Sequence, residues 1–116
     1  MPWLEQKVIK LNLGTSMAVV FGPQDLKDLT KRVLVVSAAG GTGKKGLADA
    51  DLEFGPTDAG PWFAEDLASS GIPTLAAGAN AMYRCERADR YARFSAQAAA
   101  GEDVCDLTVY FAAQGS

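Results

Sequence analysis

Toward the C-terminus, Cys105, Leu107, Val109 and Phe111 alternate with Asp106, Thr108 and Tyr110, so every second residue is apolar. A period of two sends successive side chains to opposite faces of a strand, which marks a sheet buried on one side. Just upstream, Ala92, Phe94, Ala96 and Ala98 alternate in the same way with Tyr91, Arg93, Ser95 and Gln97. Alanine favours helix, and Tyr91, Phe94 and Ala98 would also line one helical face. The second run needs an antiparallel neighbour, however, and the strand reading of the first supplies it. Residues 90–112 are therefore expected to form a hairpin, with 99–103 as its turn and Gly101 giving that turn conformational freedom. Phe94, Leu107, Val109 and Phe111 make up its expected buried face.

The rest of the chain carries further extended segments. Residues 3–13 alternate as a first strand, Gly14, Thr15 and Ser16 break it, and 17–21 form a compact apolar run that Gly22 and Pro23 are expected to end. Leu26 and Leu29 allow either one helical turn or a polar loop over 24–30. Residues 32–37, RVLVVS, are β-branched and apolar and suit the middle of a sheet. In 47–54, LADADLEF, Asp49, Asp51 and Glu53 share one face of a strand, while Ala48, Ala50, Leu52 and Phe54 share the other. The turn-rich 55–62, GPTDAGPW, is expected to deliver Trp62 into the core. Residues 65–70 allow one helical turn closed by Gly71, 71–78 read as a loop, and 81–87 alternate as another strand. About seven short strands and at most one or two helical turns predict an all-β fold, a small antiparallel β-sandwich or jelly roll, in a single domain over 1–116.

Composition narrows the chemistry. With 116 residues, one core is expected, and 11 basic against 14 acidic residues give a net charge of -3, which supplies no electrostatic reason to bind nucleic acid or an anionic membrane. No apolar run is long enough to span a bilayer, and charges interrupt the first dozen residues where a secretion signal would need an apolar stretch. The absence of histidine excludes Ser-His and Cys-His nucleophiles and histidine-based metal sites. Cys85 and Cys105 lack zinc spacing and read as buried thiols on strands. Residues 38–46, AAGGTGKKG, invite a phosphate loop. Their spacing lacks the hydroxyl residue after Gly43 and Lys44, and a strand rather than a helix follows, so an exposed hairpin tip with solvated lysines is expected instead. Asp49, Asp51 and Glu53 lack a loop to wrap calcium and read as a solvated face. Adjacent carboxylates such as Glu65 with Asp66, or Glu102 with Asp103, point to opposite faces of an extended chain and cannot converge on one bond. No enzymatic activity, cofactor or metal is expected.

From residue 47 onward the order of features resembles something more definite: LADADLEF, then GPTDAGPW, then TLAAG, RYARF and a closing DLTVYF. This is similar to the small β-sandwich domains of tailed-bacteriophage structural proteins, although Ala59 stands inside the usual Asp-Gly turn. The resemblance covers about 70 residues of the C-terminal part. It implies a virion protein of the head-decoration or cement type, made in the host cytoplasm and carried on the capsid surface with the major capsid protein as partner. A homo-oligomer is expected, a trimer on the phage reading. Residues 1–13 would be a first strand or an arm reaching a neighbour with Pro2, Trp3 and Leu4 at its apolar tip, and Val104 and Tyr110 would lie on the solvent face of the last strand. The alternative is a carbohydrate- or protein-binding sandwich module, fibre-like or adhesive, that uses Trp62, Tyr83 and Tyr110.

Overall fold

The computed structural model describes residues 3–115; Pro2 of the expected arm lies outside them. Eight strands follow in order: β1 Trp3–Lys10, β2 Ala18–Asp25, β3 Lys31–Ala38, β4 Leu47–Gly55, β5 Phe63–Ala64, β6 Asn80–Arg84, β7 Tyr91–Ala98 and β8 Leu107–Gln114. They form two antiparallel four-stranded sheets in the orders β1-β8-β3-β6 and β2-β7-β4-β5. Every connection except β4 to β5 crosses from one sheet to the other, which is the double Greek key of a jelly roll. The only helical structure among the described residues is two single 3-10 turns, Ala68–Ser70 and Ile72–Thr74, the first closed by Gly71 in the left-handed region at φ 80°.

The alternating runs at the C-terminus are both strands, but they do not form a hairpin. β7 lies between β2 and β4, whereas β8 lies between β1 and β3 in the facing sheet. Alternation specifies a strand with one buried face; it does not say which strand lies beside it. The expected inward set is buried: Phe94 from one sheet faces Leu107, Val109 and Phe111 from the other. Phe21 joins them, its ring centroid 6.0 Å from that of Phe94 and 5.3 Å from that of Phe111.

Other expectations need correction. Gly22 and Pro23 do not end β2, which continues to Asp25 with shifts of register against β7. An edge strand tolerates a proline that cannot donate to the ladder. Gly22 adopts φ 99°, and a Cβ there would sit 2.5 Å from the Ala92 carbonyl oxygen, so the position demands glycine. Of the two readings open for 24–30, residues 26–29 take the non-helical one, a turn, with Leu26 and Leu29 buried. A register shift between Leu47 and Asp49 leaves Ala48 exposed, although Asp49 and Asp51 are exposed as expected. Trp62 is half-buried rather than in the core: it packs on the turn at Gly55 and Gly60, under the Arg93 guanidinium at 4.3 Å.

Residues 38–46 are likewise not a hairpin tip, because they carry the chain from β3 to β4 in the opposite sheet. Their lysines are held rather than solvated. The Lys44 ammonium lies 2.6 Å from the Asp106 carboxylate, Lys45 Nζ donates to the Gly101 carbonyl at 2.9 Å, and Lys44 forms a parallel bridge with Val104. The two crossings at this end of the sandwich are thereby tied together. Lys44→Ala is expected to lower the unfolding free energy by roughly 1 kcal/mol, the scale of a partly screened ionic hydrogen bond. Urea denaturation of the two proteins side by side checks this.

Candidate functional site

The two sheets treat their outer faces differently. On the outside of β1-β8-β3-β6, register alignment produces cross-sheet rows. Trp3, Gln114 and Lys31 form the first; Glu5, Ala112, Val33 and Arg84 the second; Lys7, Tyr110, Val35 and Met82 the third; and Ile9, Thr108, Ser37 and Asn80 the last. The middle of the face, Ala112 and Val33, Tyr110 and Val35, is therefore apolar and half-buried, and the exposed apolar residues stand on the edge strands beside it. Trp3 is 62% exposed, Ile9 61% and Met82 57%. Contiguous apolar surface of this kind on a small domain marks a place where something binds. The sequence signal is visible in β3, where Val33 and Val35 are as apolar as the buried Leu34 and Val36, as in a strand covered on both sides.

At one end of the face, Ala112 and Val33 form a low floor between Trp3 on β1 and Arg84 on β6, leaving a trough of about 520 Å³. Lys31 and Arg84 line it, and among the described residues no carboxylate does. Beneath this end lies Arg32, 2% exposed, with its guanidinium 5.2 Å from the Phe54 ring centroid. Its Nε donates to the Leu29 carbonyl at 2.6 Å and its Nη1 to the Arg87 carbonyl at 3.1 Å, so one buried cation ties two loops to β3. Burial lowers the pKa of this guanidinium from its ordinary value.

Of the residues expected to form an interface, Trp3 and Tyr110 both lie on this outer face, two rows apart. Leu4 does not accompany Trp3, because alternation turns it inward against the core. Val104 is half-buried in the crossing before β8 rather than on its solvent face. Trp62, Tyr83 and Tyr110 do not converge either. Trp62 lies beside Arg93 of the other sheet, Tyr83 shares the inward face of β6 with its hydroxyl donating to Glu65 at 2.8 Å, and Tyr110 faces out. Burial pushes the Cys85 thiol up to about 12 and also raises that of Cys105, which favours the thiol over the thiolate in both.

The outer face of β2-β7-β4-β5 is acidic, with Asp49, Asp51 and Glu53 aligned on β4 and a second trough of about 370 Å³ bordered by Asp49, Asp51, Glu65 and Asp66. Arg93 donates to Glu53 at 3.0 Å. At the end of the same sheet, Arg90 grips Asp25 through two bonds of 2.9 Å, and the Lys27 amide donates to the same carboxylate. These contacts, the Arg90 bond foremost, lower the Asp25 pKa from 3.8 to about 2. A folded-state pKa below the unfolded one means that stability is present above pH 3.8 and is lost as pH falls through about 2. Asp25→Asn is expected to flatten this part of the acid limb, which denaturant midpoints measured across that window would report.

The fold and its exposed face define a small jelly-roll β-sandwich with an uncovered sheet. No known protein family matches the sequence, and neither does any curated protein. A solved structure described as "Bacillus endospore appendages form a novel family of disulfide-linked pili" is similar over 98% of this chain and 89% of that one, with 11% identity and a TM-score of 0.43.

Proposed function

We propose that this protein is a non-enzymatic structural subunit that decorates a repetitive protein shell as a homo-oligomer, in the manner of a phage capsid cement protein. The observation that carries the reading is the apolar outer face of β1-β8-β3-β6, which is suited to burial between copies. The phage assignment rests on the resemblance of residues 47–111, and the partner it names is the major capsid protein. An oligomer that touches several shell subunits gains avidity because each later contact is intramolecular, so weak individual patches suffice. The net charge of -3 helps keep the unassembled protein soluble. Purified protein should bind DNA-filled expanded shells from the phage that encodes it and raise their rupture temperature. Shells that neither retain the protein nor gain thermal stability would overturn the decoration role.

A further inference from the structure

The outer faces of the two sheets carry opposite charge. The apolar face holds Lys7, Lys31 and Arg84 against the single carboxylate of Glu5, and none of these four is in an ion pair among the described residues. On the opposite face β4 presents Asp49, Asp51 and Glu53, and only Glu53 is neutralised, by Arg93. Two carboxylates on one side and an excess of cations on the other are thus left without ionic partners among the described residues. Like-charge crowding is felt locally: partial burial raises the Asp51 pKa, and the neighbouring Asp49 and Glu53 raise it further. A cationic surface brought against this row would relieve that repulsion.

We propose that the outer face of β1-β8-β3-β6 of one copy packs on the outer face of β2-β7-β4-β5 of the next, with Lys31 and Arg84 set against Asp49 and Asp51. This rests on the reading above that the apolar face is buried between copies, and adds which surface covers it. Two identical apolar faces meeting about a two-fold axis would bring their excess cations together, whereas the head-to-tail arrangement pairs opposite charges while still burying Trp3, Tyr110 and Met82. A contact between two different surfaces leaves one of each free on a dimer. Growth therefore continues as an open chain, because the two faces look in opposite directions across the sandwich and cannot close a ring of three.

Two variants of the full chain test this, each disabling one face. Lys31→Ala with Arg84→Ala removes the two cations set against Asp49 and Asp51 and leaves Lys7; Asp49→Asn with Asp51→Asn removes the two unpaired carboxylates without changing side-chain size. In sedimentation velocity each variant alone should associate about tenfold or more weakly than wild type. An equimolar mixture should form a one-to-one dimer that grows no further, because each partner keeps one competent face. Raising the salt to about 1 M, where the Debye length is about 3 Å, should weaken wild-type association. If the lysine-arginine variant associates as strongly as wild type or more so, the asparagine variant is unchanged and the mixture gives no capped dimer, the contact is symmetric through the apolar face; the head-to-tail proposal then fails while the reading of the apolar face survives. If wild type and both variants sediment alike as monomers, both fail. Circular dichroism spectra matching wild type establish that each variant is folded.

Discussion

Replacing Phe111 by alanine is expected to lower the unfolding free energy by about 3 to 5 kcal/mol, the usual range for a fully buried phenylalanine. The ring is 0% exposed and stands where the two sheets meet, packed on Phe21 of the opposite sheet at 5.3 Å between centroids. Domains of this size have about 5 to 15 kcal/mol of stability in all, so the variant should be near the edge of folding at room temperature. Guanidinium denaturation, with the slope compared between the two proteins, measures the loss. A change below about 0.5 kcal/mol, typical of surface positions, would contradict the register that turns Leu107, Val109 and Phe111 inward.

Arg32→Met should cost on the order of 3 kcal/mol, although methionine fills much of the same space. The loss comes from the Leu29 and Arg87 carbonyls, which give up their donors at 2.6 and 3.1 Å at the closed end of the sandwich. Arg32→Lys should recover only a fraction of this. A single ammonium lacks the planar fork that reaches two separate carbonyls, and it is more costly to desolvate. A variant pair with wild-type denaturation midpoints would show that the guanidinium does not hold the two loops.

The strands were legible because the chain alternates. Five segments, including 91–98 and 105–111, could be placed from period two, and two more, 17–21 and 32–37, from short apolar runs; the inward set of β8 followed from the alternation. Strand partners were not legible, because alternation is local while pairing is decided by both faces of the sandwich together. The β7–β8 hairpin was the consequence: the link over 99–106 crosses between sheets, held by Lys44 and Lys45 from a segment more than 50 residues away. β5, with two residues, is too short to carry a period at all. Trp62 reads as a core anchor by its size, but the guanidinium that covers it comes from Arg93, 31 positions on, which no local pattern reveals. Arg32 opened an apolar strand and gave no sign of being buried, since its partners are carbonyls of two distant loops.

The candidate face was half legible. Trp3 and Tyr110 stood out as apolar residues at outward positions, but only the register unites them with Val33, Val35 and Met82 from other strands. The charge contrast between the two outer faces is invisible along the chain for the same reason. Each face is assembled from strands that are far apart in sequence.

The central claim is that the outer face of β1-β8-β3-β6 is buried between copies, and sedimentation equilibrium of the full chain tests it most directly, compared with Met82→Glu, which places a charge on the exposed β6 side of that face. The wild-type protein should sediment at micromolar concentration as a multiple of 12.2 kDa, and the variant should revert to that single mass while keeping its β-sheet circular dichroism. A wild-type protein that stays at 12.2 kDa at every concentration, or a variant that associates as strongly as wild type, would contradict it.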